Sequence, residues 1–143
     1  MAVTIARLLL GGLLIVTGSL KLPHPDALAA AIAGFRLLPP SIVAPLAVVL
    51  PAFEVLLGLY VLLGLFTRIA ALVAAAQFAI YAAAIASAVV RHIPANCGCF
   101  GPGDTATADW PHVGFDLALA AVALFIAVGA PGALALDRRL RAR

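Results

Sequence analysis

Asn96-Cys97-Gly98-Cys99-Phe100-Gly101 holds both cysteines of the chain, one residue apart, inside the one long polar stretch of an otherwise apolar sequence. Thiols at this spacing can close a disulfide, exchange with a partner's disulfide or grip a soft metal. A disulfide needs its Cα atoms about 4.4–6.8 Å apart. Residues i and i+2 meet that window only where the backbone folds, and Gly98 removes the steric obstacle to folding. So small a ring should be strained, and strained disulfides are more oxidising and more labile than structural ones. Closing so short a loop gains little chain entropy, which makes a purely stabilising role a poor use of the pair. Arg91, His92 and the N-terminus of a following helix would lower a thiol pKa, and Asp104 and Asp109 would oppose them.

Three readings of this stretch compete. In the first, the pair is a membrane thiol–disulfide component that passes redox equivalents to an external partner. In the second, His92, Cys97, Cys99 and His112 supply two imidazoles and two thiolates, enough for tetrahedral Zn or for Cu(I). In the third, the cysteines form a local cross-link in a non-enzymatic scaffold that holds other proteins at the membrane. One cysteine pair cannot run an internal relay, so a partner or a bound quinone must complete any redox cycle.

Glu54 is the second chemically distinctive residue, because it falls in the middle of an apolar segment. An ionised carboxylate there costs several kcal/mol unless it is paired. If the chain reverses at Thr67-Arg68, antiparallel registration sets Glu54 level with Tyr81, with Gln77 about one turn deeper. Pro51 lies one turn before Glu54 and frees a carbonyl for a nearby donor. The arrangement reads either as an interhelical hydrogen-bond clamp or as a proton relay or polar anchor for a ligand. Lys21, at the end of the first apolar segment, is placed to snorkel to the headgroups. Asp116, in the first turn of the last segment, complements a helix dipole. The two can instead pair with each other close to the cysteine loop.

The elements that must carry these residues follow from composition. The 143-residue chain is 65% hydrophobic and 10% charged, with a mean hydropathy of +1.18. A soluble domain this small has too little interior to hide so much apolar surface. We therefore expect an all-α integral membrane four-helix bundle, one domain over residues 1–143. Spans of about 20 apolar residues fall near residues 3–20, 41–66, 68–90 and 113–130, with the cysteine loop over 91–112. Between the first two, Leu28, Ile32, Phe35 and Leu38 recur at helical spacing before Pro39-Pro40, the pattern of a short interfacial or re-entrant helix. The first span lacks the basic flank and small-residue cleavage site of a signal peptide and reads as a retained helix.

Four spans put both termini on one face. That face carries Arg7, Arg68, Arg138, Arg139, Arg141 and Arg143; the other carries Lys21, Arg36 and Arg91. The excess predicts a multi-pass plasma-membrane protein with cytoplasmic termini and an extracytoplasmic cysteine loop, where disulfides persist. The C-terminal arginines read as a topology and lipid signal, not a nucleic-acid site. For close helix packing, the sequence offers Ala71, Ala75, Ala79, Ala83 and Ser87 at intervals of four, with Gly11, Gly12 and Gly18 in the first span and Gly58 and Gly64 in the second.

Taken together, Gly18-Ser19-Leu20-Lys21 with Pro23 and Pro25, Phe35-Arg36-Leu37-Leu38-Pro39, Leu50-Pro51-Ala52-Phe53-Glu54 with Gly58, and Cys97-Gly98-Cys99-Phe100-Gly101 resemble the MauE (methylamine-utilisation) family of DoxX-like four-helix membrane proteins. The resemblance implies a four-helix bundle that acts in processing, export or maturation of secreted proteins, beginning with methylamine dehydrogenase. It also implies partnership with an extracytoplasmic thioredoxin-like protein or secreted client. By that likeness Cys97 and Cys99 take the redox positions, and Lys21 and Glu54 the polar positions of the first two spans. One departure is that Gly114-Phe115-Asp116 keeps the acid of the last helix but not the basic residue before it.

Overall fold

A bilayer offers no hydrogen bonds to an exposed backbone, so an apolar segment that enters it pairs its own N–H and C=O groups as a helix. The computed structural model describes residues 1–132 and 134–137. It contains α1 (Ala2–Lys21), α2 (Pro25–Gly34), α3 (Pro40–Leu63), α4 (Thr67–Val90) and α5 (Trp110–Gly129). All but α2 are long and apolar enough to cross a membrane, and no strand occurs among the described residues. The fold is therefore the all-α, four-span architecture with a short intervening helix that the sequence leads one to expect. Proline opens α2, α3 and α5, where its missing N–H costs nothing. Helix α3 runs on through Pro45 and Pro51.

The bundle is two close pairs, α1 with α3 and α4 with α5; α3 and α4 share a tight turn yet pack on each other only slightly. Glycine sets the first pair. A Cβ on Gly58 would lie 2.8 Å from the Gly11 carbonyl oxygen, so α1 and α3 touch there backbone to backbone. Gly18 also packs against α3, whereas Gly12 meets open space and Gly64 ends α3 in a left-handed cap. The interval-of-four stripe in α4 does not persist: Ala71 and Ala75 are buried, but Ala79 and Ala83 are exposed. Four residues overshoot one helical turn by about 40°, so a strict stripe of fours rotates off the interface. The buried face alternates threes and fours instead, through Ala71, Ala74, Ala75, Phe78, Ala82 and Ile85.

At the end of the bundle away from the cysteines, two charged side chains satisfy helix ends. Arg7 is 1% exposed. Its guanidinium donates to the carbonyls of Val61 (2.9 Å) and Leu62 (3.1 Å) in the last turn of α3, and to Pro131 (3.0 Å). Asp137 accepts from Phe66 N–H (2.8 Å), Thr67 N–H (2.7 Å) and the Thr67 hydroxyl (2.7 Å), capping α4 from a distant part of the chain. Arg7 thus faces inward instead of standing as a surface topology charge. Arg138, Arg139, Arg141 and Arg143 lie outside the described residues. Replacing Arg7 with methionine strips charged donors from buried carbonyls and should cost about 2–3 kcal/mol, measured as a lowered midpoint of thermal unfolding in detergent.

Candidate functional site

At the opposite end, the loop between α4 and α5 folds over the bundle on hydrogen bonds of its own. Ala108 N–H donates to Ala95 C=O (2.8 Å) and Cys97 N–H to Ala106 C=O (2.9 Å), pinching the loop closed. Asn96 donates through its amide to Asp104 C=O (2.8 Å) and accepts from Gly98 N–H (2.8 Å). Asp104 accepts from Ala106 N–H (3.0 Å) and Phe100 N–H (3.3 Å). Gly98 takes φ of 64°, a left-handed turn in which other residues are strained. Cys97 and Cys99 are joined in a disulfide with Cα atoms 5.3 Å apart. Both are half-buried and pack with Phe35 and Val89 against Ala82, Ile85 and Val113.

Helix α5 begins where Asp109 accepts from His112 N–H at 3.0 Å, with the His112 ring Nδ1 at 2.5 Å from the same oxygen. These bonds hold the Asp109 carboxyl below its ordinary pKa of 3.8. With the folded value depressed, the cap contributes stability above the unfolded value and loses it as pH falls through the folded one. Asp109→Ala should lower the melting temperature at neutral pH, with the deficit shrinking as the solution is acidified below 3.8.

Beneath the loop lies a buried polar cluster drawn from three helices. Glu54 of α3 is 1% exposed and Lys21 of α1 5%. Lys21 Nζ lies 3.0 and 3.2 Å from the two Glu54 carboxylate oxygens. From α4, the Tyr81 hydroxyl donates to Glu54 Oε1 at 2.5 Å and Gln77 Nε2 at 3.0 Å. Lys21 also stands 5.9 Å from the centre of the Tyr81 ring. Lys21 ends α1, but side chains tilt toward a helix N-terminus. Its ammonium therefore hangs back into the bundle and does not snorkel outward. Asp116 of α5, 5% exposed, does not take Lys21; its Oδ2 has no hydrogen-bond partner among the described residues. Gln77 Oε1 is likewise unpartnered among them.

Loop and cluster share a cavity of about 260 Å³ with apolar walls. Cys97 and Cys99 line one part of it, Lys21, Glu54, Tyr81 and Asp116 another. A second cavity of about 250 Å³ reaches Gly98 from the side of α2, past His24, Asn96 and Asp104. The arrangement can hold a dithiol or disulfide against a water-poor space and place a carboxyl and a phenol beside it.

The four-ligand metal set is not assembled: the cysteines are joined to each other and His112 to Asp109. No group of three or more His, Cys, Asp or Glu fit to hold a metal occurs among the described residues. Arg91, read from sequence as a thiol activator, donates instead to Phe35 C=O (2.5 Å) and Ser87, tying α4 to the end of α2. Asp104, read as an opposing charge, is spent on loop N–H groups. Sequence reasoning missed the loop-building roles of Asn96 and Asp104, although both are residues that favour such turns. It also missed the Asp109 cap, for which Asp109-Trp110-Pro111 was a legible signal.

The family model described as methylamine utilisation protein MauE matches residues 1–130. A methylamine utilization protein MauE of Paracoccus denitrificans is 33% identical over 129 residues, covering 90% of this chain and 69% of that protein. No solved structure matches. With four membrane-spanning helices and a family match that runs from α1 through α5, the chain is a multi-pass membrane protein that belongs to the MauE family.

Proposed function

We propose that this protein is a membrane thiol–disulfide exchange component that matures extracytoplasmic proteins through Cys97 and Cys99. The observation that carries the reading is the placement of the disulfide. It sits half-buried in a loop braced by α2, α4 and α5, with a second cavity reaching Gly98 from the side of α2 past His24, Asn96 and Asp104. A partner's thiolate entering there attacks one sulfur and forms a mixed disulfide; the released cysteine belongs to this protein, and the partner's second thiol resolves the link. The partner becomes oxidised, and Cys97 and Cys99 are left as thiols. The loop faces outside the cytoplasm in this reading, where such chemistry is useful. The client is a secreted protein or an extracytoplasmic thioredoxin-like partner, and kinship with MauE favours methylamine utilisation as the setting.

Single Cys97→Ser and Cys99→Ser variants test the reading directly. Neither variant can form the disulfide that the partner's thiolate must attack, so in both the partner should accumulate with its thiols free, read by mass-shift labelling. If the partner is oxidised in both variants as in the parent, the chain acts as a scaffold.

A further inference from the structure

The exchange reading leaves the Cys97–Cys99 pair reduced after each turnover, with no second cysteine pair in the chain to take the electrons. The cavity behind the disulfide has the features of an acceptor site. Its volume of about 260 Å³ exceeds the roughly 150 Å³ that encloses a benzene ring. Its walls include Leu50 of α3 and Ile80 of α4, the two helices that pack only slightly on each other. Ile80 is 66% exposed and Leu38, also in the wall, 40%. The gap between α3 and α4 therefore opens sideways through apolar side chains, at a depth where the surroundings are lipid. One wall carries Asp116, more than nine-tenths buried, whose Oδ2 is unpartnered among the described residues. An acyl chain would leave that oxygen unpartnered; a quinone would not, because a protonated carboxyl donates to a quinone carbonyl and a carboxylate accepts from a hydroquinone hydroxyl.

We propose that the cavity binds a lipid-soluble quinone, which enters between α3 and α4 and reoxidises Cys97 and Cys99. This rests on the exchange reading above. Re-forming the Cys97–Cys99 bond releases two electrons and two protons from the two thiols. The quinone takes both electrons at its ring, and its two carbonyl oxygens each gain a proton, giving hydroquinone. Asp116 relays one proton from a thiol to a quinone oxygen. The second thiol proton goes to water at the loop, and water supplies the proton for the second oxygen. Net flow runs from client dithiol to quinone, the direction in which quinones act as oxidants of thiol systems.

The test uses the full-length protein in phosphatidylcholine nanodiscs. After reduction with dithiothreitol and desalting, decylubiquinone is added. Thiols are counted by mass-shift labelling and quinone loss is followed by ultraviolet absorbance. The expected result is one quinone reduced per protein as both thiols disappear. Asp116→Asn should slow the reaction on the order of 10²-fold and alter its pH profile. An azido-quinone should photolabel residues lining the cavity, be displaced by decylubiquinone, and fail to label Ala84→Trp, which fills the cavity wall; Ala84→Leu serves if the larger residue prevents folding. Reoxidation by an added protein disulfide but not by quinone overturns the quinone site and leaves the exchange reading standing. If neither oxidises the thiols, both fall. Photolabel in the cavity without quinone reduction, or a phospholipid that decylubiquinone does not displace, also overturns it.

Discussion

Lys21→Met is expected to be among the most damaging single substitutions in the bundle, lowering stability by about 3–5 kcal/mol. The reason is what it leaves behind. Glu54 is 1% exposed, so its carboxylate would lose its counter-charge with no water to replace it. Tyr81 and Gln77 would still donate to one oxygen, but the other would keep no strong partner. Glu54→Leu should be comparably costly, because it strands the ammonium of a lysine that is itself buried. The double variant Lys21→Met/Glu54→Leu removes both charges together and should recover more than half of the loss, since apolar replacement of a buried ion pair is often close to neutral. Denaturant or thermal unfolding in detergent gives the four corners of this cycle. Singles within about 0.5 kcal/mol of the parent, the ordinary range for exposed pairs, would mean that water reaches the cluster.

Replacing both Cys97 and Cys99 with serine should have a contrasting profile: little loss of fold and complete loss of client oxidation. A cross-link closing a three-residue loop contributes on the order of 1.5 kcal/mol by chain entropy. That is at most about half the effect expected at Lys21. The loop also keeps its other fastenings, the Asn96 and Asp104 bonds and the Cys97–Ala106 and Ala108–Ala95 backbone pairs. The double-serine protein should therefore remain in the membrane with its melting temperature lowered by only about 3–8 °C, while its client accumulates with free thiols. Thiol labelling of the client in cells reads this out. A client that stays fully oxidised would reassign the cysteines to a structural staple.

Much of the fold was legible because bilayer physics leaves few options. Apolar runs long enough to cross must be helices, and proline at Pro40 and Pro111 marks where two of them begin, as Pro25 does for the short α2. The meeting of Glu54 with Tyr81 and Gln77 followed from the tight turn near Thr67, which fixes antiparallel register by counting residues. Lys21 was read differently because its partner depends on side-chain direction at a helix end, and spacing along the sequence does not carry that information. The same holds for Arg7, whose buried role depends on the bare carbonyls of a helix far away in sequence. Asp137 was invisible for a related reason: it caps α4 from seventy residues downstream, where no local pattern joins donor to acceptor. The stripe in α4 failed through a known arithmetic mismatch, four residues against 3.6 per turn. Legible from composition alone was the loop's polarity, but not its closure, which depends on Asn96 and Asp104 finding particular N–H and C=O groups.

Whether Cys97 and Cys99 cycle between thiols and disulfide is read from their redox state in native membranes, by mass-shift thiol labelling across a titration with a glutathione or dithiothreitol couple. A cycling pair gives one reversible two-electron transition at a potential well above the roughly −300 mV that marks structural disulfides. A pair that stays oxidised until the harshest reduction would contradict the exchange reading, and would leave the disulfide as a fixed cross-link in a membrane scaffold.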